Sequence, residues 1–475
     1  MILKPSKAVL LVLLLAGAGR GLLIRSVAQP AAAAAAVGVG TNTVYPIDLP
    51  TALRLARARN LDIQIAREAL NAARAAHESA QEQFFPWLTP GASYHRRDGM
   101  AQAVPAGTIS ETHFQSYSPG AALTAQLPLG DAIYQSLASK QLVEASGHAL
   151  DSQGQGSTLA AAQAYFDLLK AKAVVKVLRE IWDVSLQYQK ELQEAVKSGI
   201  AFKGDALRVE TQTQQYGIAW RQATEHWRVS SAELARVLHL DAMVELAPKE
   251  TDLVPLTLVP LDGSLNSMVR HALKNRPELH QSQSTILAAE NQKNAVTFGP
   301  LVPTLNASAF GGGLGGGHGN STTPFGPEED YFVGLGWRLG PGGLFDFGRI
   351  HASRAQLSTV RLQDARLRDE ITRQVVEGHA HASSLLDQIE SRKANLATAE
   401  ETLRLARSRR QFGVGVVLEY LLAQQDYSTA QTGYVGAIAD YNKAQFTLTY
   451  AIGDTLGGQT VRHGDAKGET KLRGE

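Results

Sequence analysis

The segment LPTALRLARARNLDI, residues 49–63, decides how this chain is organised, because it returns 216 positions later as LNSMVRHALKNRPEL, residues 265–279. Both segments contain an amphipathic stretch, then Asn or Arg, and then an acid followed by an aliphatic residue. Each leads into an alanine-rich stretch that ends at a proline, in FPWL at 85–88 and VPTL at 302–305. A fixed order of such landmarks at one offset predicts an internal duplication.

The duplication continues to the end of each copy with nearly the same offset. Gly199 aligns with Gly413, and the segment DAL at 205–207 aligns with EYL at 419–421, both at offset 214. The alternative is that two alanine-rich helical stretches align on composition alone, but the matching proline and glycine positions argue against it. The predicted structural repeats are 46–250 and 251–454.

Each copy is predicted to begin with a helix, over roughly 50–83 in the first, and to continue with two strands. Apolar and polar residues alternate with period two over about ten residues in each strand, which gives the strand one apolar and one more polar face. The stretch 96–118 is rich in Gly, Ser, Thr and charged residues and is predicted to be a surface loop. The predicted strands lie at about 87–97, 117–129, 303–313 and 330–340.

The distribution of proline predicts two very long helices. All 18 prolines lie outside the stretches 129–247 and 342–475, and a proline in a helix interior costs about 3 kcal/mol. Apolar and small residues recur there at spacings of three and four, which predicts helices over 132–200 and 349–411. At 1.5 Å per residue these helices would be about 100 Å and about 95 Å long.

Glycine marks the end of each long helix, where it suits the left-handed position after a helix C-terminus. Return helices are predicted after these turns, over roughly 204–240 and 417–453. Three more glycines, Gly147, Gly154 and Gly156, fall inside the first long helix. Each lowers helix propensity by about 1 kcal/mol, which leaves a bend or loosening near 147–157 open.

The two ends of the chain are predicted to lie outside the repeats. Residues 1–28 have the charged, apolar and small-residue regions of a signal peptide. A retained membrane anchor is the alternative, although Arg20 and Arg25 leave a short span for a ~30 Å bilayer core. Residues 29–45 and 455–475 are predicted to be a flexible N-terminal segment and a polar tail.

Composition excludes several functional classes. The chain has no cysteine, and therefore no acceptor for a lipid after a signal peptide. Its net charge of +1 gives no argument for a nucleic acid partner, since phosphate binding needs a basic surface.

Four strands per chain are too few to close a membrane barrel. A closed barrel needs about eight or more strands, because open edges are not tolerated in lipid. Two chains would supply eight strands and three would supply twelve, so a cyclic oligomer is expected.

Together these motifs resemble those of the TolC family of bacterial outer-membrane efflux proteins. The resemblance covers about residues 46–454. It rests on the two proline-led strands and on ALRLARARNLDI, VRHALKNRPEL, SGIAFKGDAL, FGVGVVLEYLLAQQDY, LARVLHLD and LTYAIGD. It implies a mainly α fold with a small β part, in which a homotrimer forms a 12-stranded outer-membrane β-barrel continued by a periplasmic α-helical barrel. It also implies a periplasmic adaptor protein and an inner-membrane pump as partners, with outer-membrane lipid around the barrel.

The resemblance assigns roles to the two helix tips. Ser198-Gly199-Ile200 and Phe412-Gly413-Val414 are expected to be adaptor-docking turns, although glycine would cap the helices there in any case. Glu419 lies where the family often has an acid, so three copies would form a carboxylate ring at a periplasmic gate. Asp205 is its counterpart in the first repeat. The next acidic position of the family is Leu422 here, so this gate would hold fewer acids. A solvated acid near a helix N-terminus is the alternative for both carboxylates.

Four aromatic residues flank the predicted strands and are candidates for interfacial aromatic belts. Ordinary strand packing is the alternative. The four residues are Trp87, Tyr94, Tyr331 and Trp337.

Nothing in the sequence predicts an enzyme, a cofactor or a metal site. Residues 311–316 match G-x-G-x-x-G, but no βαβ unit surrounds them, so a loop between strands is predicted rather than a dinucleotide site. His379 and His381 are two positions apart on a helix and therefore face different sides. The sequence contains no H-E-x-x-H, G-x-S-x-G or P-loop motif.

The sequence therefore predicts a passive outer-membrane channel subunit for tripartite efflux or type I secretion, an exit duct for small molecules such as drugs or metal ions. The alternative is a periplasmic structural or adaptor-like coiled-coil protein that does not span the membrane. The alternating strands, duplicated at matching positions, favour the channel.

Overall fold

The computed structural model describes residues 44–58, 60–102, 107–241, 243–250, 252–411 and 417–454. The predicted signal peptide, nearly all of the 29–45 segment and the 455–475 tail lie outside the described residues. Within the described part of the chain, no helix is both long enough and apolar enough to cross a membrane.

The two repeats contain the same series of elements. The first has α1 (Leu49–Ala58), α2 (Leu61–Glu82), β2 (Trp87–Gln102), β3 (Ile109–Pro128), α3 (Leu129–Lys197) and α4 (Lys203–Val237). The second has α5 (Leu265–Asn275), α6 (Pro277–Phe298), β5 (Thr304–His318), β6 (Phe325–Gly336), α7 (Phe347–Gln411) and α8 (Val417–Ile452). Two short parallel strands, β1 (Tyr45–Ile47) and β4 (Leu246–Pro248), pair with each other beside the first repeat.

The helix predicted over 50–83 is two helices, α1 and α2, because Asn60 starts a new one. The Asn60 side chain accepts hydrogen bonds from the backbone N–H groups of Asp62 (2.8 Å) and Ile63 (3.2 Å). Such a cap satisfies N–H groups that a helix leaves unpaired at its start.

The second repeat has a helix boundary at the corresponding position, but different residues form it. Pro277 occupies the first turn of α6, where its missing N–H is not needed. The preceding Arg276 is buried, with its guanidinium 2.9 Å from the carboxylate of Glu278 and 4.5 Å from the ring centre of Tyr450. The guanidinium also donates to the backbone oxygen of Tyr450 at 3.0 Å. The repeated motif of the sequence is therefore a helix boundary in both copies.

Helix α3 runs without interruption through Gly147, Gly154 and Gly156. It packs against α2 and α4 of its own repeat and against α6 and α8 of the second repeat. Its buried seam includes Gly154, Ser157, Thr158, Ala161 and Ala162, small residues that allow close approach. Tertiary packing against helices of both repeats outweighs the propensity cost of the three glycines, so the helix continues through them.

The strands differ from the predicted bounds chiefly at their outer ends. The predicted loop at 96–118 is mostly strand, since β2 continues to Gln102 and β3 starts at Ile109. The register between them is unbroken from Trp87–Thr124 to Gln102–Ile109. Ladder hydrogen bonds need no apolar side chain, so alternation in hydrophobicity could not mark this part. Strand β5 likewise continues to His318, and β6 begins earlier than predicted, at Phe325, and ends at Gly336.

The four long strands form one antiparallel sheet in the order β2–β3–β5–β6. The helices are ordered in the same way. Helices α2 and α4 contact α3, which contacts α6 and α8, and these contact α7. The sheet and the layer of helices therefore have their outermost elements on the same two sides of the subunit, which we call its open sides. One side is formed by β2, α2 and α4, and the other by β6 and α7.

The three largest of five clusters of buried side chains in the described residues show how the helices are held together. One surrounds Tyr165 and Leu234 in the first repeat, and one surrounds Ile371 and Tyr441 in the second. The third lies near the helix tips, where Tyr188 of α3 meets Tyr420 of α8 with ring centres 4.8 Å apart. The repeats therefore join along α3 and α8.

Candidate functional site: the sheet and the helix tips

The sheet has two chemically different faces, which follow from its register. Residues directly opposite one another on neighbouring strands share a face, and faces alternate along each strand. The apolar face carries Leu88, Ala92, Tyr94, Tyr117, Pro119, Leu123, Leu127, Leu305, Ala307, Ala309, Tyr331, Val333 and Leu335. The polar face carries mainly Thr89, Ser93, His95, Ser118, Thr124, Gln126, Asn306, Ser308, Glu328, Asp330 and several glycines.

The apolar face has the height of a membrane band. It extends from the row of Leu305 to the row of Gly315, ten residues along β5. Ten residues measure about 34 Å along a strand, or about 26 Å along the axis at the ~40° tilt of outer-membrane barrels, whose apolar band is ~25 Å tall. Glu329 is the exception on this face, and its carboxylate accepts a hydrogen bond from Tyr331 at 3.3 Å.

Charged residues follow directly beyond the band. The guanidinium of Arg96 lies 2.7 Å from the carboxylate of Asp98, which also lies 3.0 Å from the ring of His113. The charged side chains make this end of the sheet suited to contact with water rather than with lipid.

A row of three aromatic residues marks the boundary between the apolar band and the charged end. Tyr94, Tyr117 and Phe325 belong to the same row of the apolar face. The rings of Tyr117 and Phe325 stack at 5.7 Å, and the Tyr117 hydroxyl donates to the Thr322 carbonyl at 2.6 Å. An apolar ring with a hydrogen-bonded polar tip is typical of a membrane interface.

The glycine-rich segment 311–316 is part of β5 and not the predicted loop. Aromatic rings take the space that side chains would fill. A Cβ atom on Gly313 would lie 2.3 Å from Phe325, and one on Gly315 would lie 2.5 Å from Tyr117. Glycine is required here because the rings lie flat on the strand.

The structure separates the four predicted belt residues. Tyr94 and Tyr331 lie on the apolar face and are exposed in the single chain, at 62% and 63%. Trp87 lies on the polar face, because it is an odd number of positions from Tyr94. Trp337 follows the end of β6, and its indole N–H donates to the carbonyl of Leu301 at 3.1 Å. Sequence reasoning missed Tyr117 and Phe325, which only the pairing register adds to the row of Tyr94.

The first helix tip is a Schellman turn. The N–H of Ile200 donates to the Ala195 carbonyl at 2.9 Å, and the N–H of Gly199 donates to the Val196 carbonyl at 3.0 Å. Gly199 has φ = +74°, which confirms the predicted left-handed cap. Ile200 and Phe202 are 83% and 75% exposed, so the tip presents apolar side chains to solvent.

At the second tip, Phe412, Gly413 and Val414 lie outside the described residues. Glu419, on the first turn of α8, is 2.7 Å from the guanidinium of Arg409 on α7. Each candidate gate carboxylate thus has a cation nearby, since Asp205 is 3.9 Å from Arg208. Leu422, at the position where the family pattern has an acid, is 53% exposed.

A groove runs between the starts of the return helices α4 and α8. It has a volume of about 410 Å³ and is lined by apolar and polar side chains that include Leu207, Arg208, Gln212, Leu418, Leu421 and Leu422. Leu418, the sequence neighbour of Glu419, therefore belongs to an open, partly apolar surface.

Within the described residues, no three His, Asp or Glu side chains converge to hold a metal ion. His379 instead lies 3.2 Å from the carbonyl of Leu261.

Comparison with known proteins gives relatives in both sequence and fold. Residues 268–454 match the family model of the outer membrane efflux protein. Protein CyaE of Bordetella pertussis is 25% identical over 394 residues, which cover 79% of this chain and 76% of CyaE.

Solved structures share the fold over most of the chain. The CmeC outer membrane channel of Campylobacter jejuni superposes with a TM-score of 0.73 and 14% identity, covering 87% of each chain. The outer membrane protein VceC of Vibrio cholerae gives a TM-score of 0.71 and 16% identity, covering 86% of this chain and 96% of VceC. At these identities the likeness shows the fold alone.

The family match falls on the second repeat, and the first repeat has the same series of elements. Outer membrane efflux proteins are channels and not enzymes. Residues 268–454 of this chain therefore carry the outer membrane efflux protein domain.

Proposed function

We propose that the chain is one subunit of a homotrimeric channel that conducts small molecules across the periplasm and outer membrane. The observation that carries the proposal is a sheet with one apolar face of membrane height and two unpaired edges. Each unpaired backbone group in lipid costs several kcal/mol, so β2 and β6 need partners. Pairing β2 of one copy with β6 of the next closes a ring.

Three copies supply twelve strands, as the resemblance implies. The helical layer supports the same assembly, because its open sides coincide with those of the sheet. Helices α3 and α7, with 69 and 65 residues, are about 100 Å long at 1.5 Å per residue. Three copies would form a tunnel that crosses the periplasm. The strands hold the subunit in the outer membrane without a lipid anchor.

The exposed tips are the proposed contact sites for a periplasmic adaptor, through which an inner-membrane pump delivers its substrate. Gly199 shapes the first turn, and Ile200 offers the apolar side chain that an adaptor would cover. Energy for transport comes from the pump, since the channel itself is passive.

A cysteine cross-link tests the assembly directly, because the chain has no cysteine of its own. Ser93 on β2 is replaced by Cys. In a series of variants, this substitution is combined with one further Cys at a single position between Phe332 and Gly336 of β6. We expect oxidation to produce covalent dimers and trimers in membranes with at least one β6 position. The matched control pairs Ser93→Cys with Cys at Ala307 of the interior strand β5, and it should stay monomeric on the gel. A monomeric, soluble periplasmic protein without cross-links would establish the coiled-coil alternative.

The gate is tested by conductance in planar bilayers. Glu419→Gln should lower cation preference, because three copies lose three carboxylates at one level of the tunnel. Arg409→Gln is the matched variant and should raise cation preference, since it leaves Glu419 without its nearby cation. Equal ion selectivity in both variants would contradict the carboxylate ring.

A further inference from the structure

We propose that a groove between α3 and α4, next to β4, binds a small organic anion with an apolar body, such as an aromatic sulfonate or carboxylate. The groove has a volume of about 500 Å³, which is within the range of small-molecule sites. All of its lining comes from one subunit, so the proposal goes beyond the exit duct and does not depend on how the copies assemble.

The inner surface of the groove is largely apolar. Three side chains of α3 and two rings of α4 form it, namely Leu169, Ala173, Val175, Trp220 and Trp227. Trp227 also packs against the buried cluster of the first repeat, so the core holds this wall in place. The small side chain of Ala173 leaves open the space that a larger residue would fill.

A stack of three side chains fixes one end of the groove. The rings of Trp182 and Trp220 stack with their centres 5.1 Å apart. The guanidinium of Arg179 lies 4.8 Å from the first ring and 5.0 Å from the second. Gly217 makes room for the stack, since a Cβ atom there would lie 3.1 Å from the indole nitrogen of Trp182. A wall that is already ordered lowers the entropic cost of binding a ligand.

The charges around the groove favour an anion. Lys172 and Lys176 lie one helical turn apart on α3, and both line the groove. The ammonium of Lys172 donates to the carbonyl of Pro248 at 3.3 Å. The ion pairs that lysines form within the described residues involve neither Lys172 nor Lys176. Both ammonium groups are therefore without a carboxylate partner there.

The remaining charges of the lining do not cancel these two cations. Arg179 is paired with Asp183 at 2.9 Å. Glu250 lines the groove and accepts a hydrogen bond from the hydroxyl of Tyr165. Two ammonium groups against one carboxylate leave an excess of positive charge.

A ligand with an apolar body and one anionic group matches both properties of the groove. Its body would cover the tryptophan rings and the aliphatic side chains, at about 25 cal/mol per Å² of apolar surface removed from water. Its anionic group would accept charge-assisted hydrogen bonds from the lysines. An organic cation of the same shape would bury the same area but would be repelled by Lys172 and Lys176.

The test is isothermal titration calorimetry with the full-length channel in lipid nanodiscs. The probes are naphthalene-2-sulfonate and 2-naphthylmethylammonium, which share one ring system and have opposite charges. Titration into empty nanodiscs corrects for partition of each probe into the lipid. We expect one sulfonate site per chain, with binding of the ammonium probe weaker by about tenfold or more because it gains no charge-assisted hydrogen bonds.

Two variants separate the space of the groove from its charge. Ala173→Leu fills the groove and keeps both lysines, so sulfonate binding should weaken by more than about tenfold, since the body of the probe is excluded. Lys172→Gln/Lys176→Gln keeps the space, and it should weaken sulfonate binding by about tenfold without weakening the ammonium probe. The matched control is Lys190→Gln, which removes an exposed lysine of the same helix, about 21 Å further along. It should leave sulfonate binding unchanged.

Equal binding of the two probes, or sulfonate binding that survives Ala173→Leu, overturns the site. Absence of sulfonate binding to a wild-type channel that conducts in planar bilayers also overturns it and leaves the proposed function standing. Sulfonate binding to a chain that forms no pores supports the site and contradicts the proposed function. If Ala173→Leu does not fold, the double Gln variant decides, and an unchanged sulfonate affinity there overturns the site.

Discussion

Replacing Arg276 by Met should destabilise the second repeat strongly, because it leaves a buried carboxylate without its partner. The side chain of Arg276 is 4% exposed and that of Glu278 is 19% exposed, with 2.9 Å between guanidinium and carboxylate. Arg276 also donates to the carbonyls of Tyr450 and Ala451 at the end of α8. The substitution thus removes a link between the α5–α6 boundary and α8.

The expected cost is about 3–5 kcal/mol, the range found when one partner of a buried ion pair is removed. Met matches the volume of the apolar part of the side chain, so the loss is electrostatic rather than a cavity. Adding Glu278→Leu should recover most of the stability, since no buried charge then remains. The matched control is Arg373→Met on α7, whose guanidinium forms ion pairs with Glu370 and Glu377 on the surface. It should change stability little, because exposed ion pairs contribute little.

The assay is urea unfolding of the purified protein in detergent, followed by circular dichroism at 222 nm. Hydrogen exchange at the start of α6 supplies a local readout, and about 4 kcal/mol corresponds to roughly a thousandfold faster exchange by local opening. The reasoning is refuted if Arg276→Met is no more destabilising than Arg373→Met. It is refuted equally if Glu278→Leu brings no recovery.

Three further outcomes follow from the geometry. Gly199→Ala should destabilise the first tip by about 1 kcal/mol, because a side chain is strained at φ = +74°. Hydrogen exchange of the tip amides should become faster. The control is Gly147→Ala, in open space within α3, which should slow exchange. Gly315→Ala should displace the stacked rings of the outer aromatic row, at about 1–3 kcal/mol, and lower the temperature at which the oligomer dissociates on a gel; Gly326→Ala, with nothing within 4 Å, should not. Burial raises the pKa of Glu278, but Arg276, Ser152 and the backbone N–H outweigh it and lower the pKa below its ordinary 4.5. The stability lost in Glu278→Gln should therefore be full at neutral pH and vanish as the pH falls below about 4.5 through that lowered pKa. A difference between Glu278→Gln and the wild type that grows as the pH falls would contradict this sign.

The repeated segments at 49–63 and 265–279 indicated where each repeat begins, but not how. Both contain a helix boundary, made by the Asn60 side chain in one copy and by Pro277 with buried Arg276 in the other. Asn is a common N-cap and Pro a common first helical residue, so both breaks had a local signal. The ion-pair partner of Arg276 is the nearby Glu278, but its carbonyl and ring contacts come from Tyr450 and Ala451 of α8, about 170 residues away in sequence, and no local pattern predicts them.

The candidate site likewise contains some features that the sequence predicted and others that it did not. Gly199 was predictable, since a helix end needs a residue that tolerates positive φ. The aromatic row was only partly predictable, because Tyr94 belongs with Tyr117 and Phe325 through the pairing of three strands. Trp87 and Tyr94 are an odd number of positions apart on β2 and therefore lie on opposite faces of the sheet, which follows from the alternation along one strand. Glu419 was identified as an acid, whereas its ion pair with Arg409 depends on how α7 meets α8.

The sequence by itself determined the duplication, the long proline-free helices and the alternating strands, because these follow from local sterics and from the periodicity of apolar residues. Only the tertiary structure decided the strand register, the two faces of the sheet, the extension of the strands beyond the apolar band and the contact of buried Arg276 with the end of α8. Those features depend on contacts between residues far apart in the chain, and their energies exist only once the elements have packed.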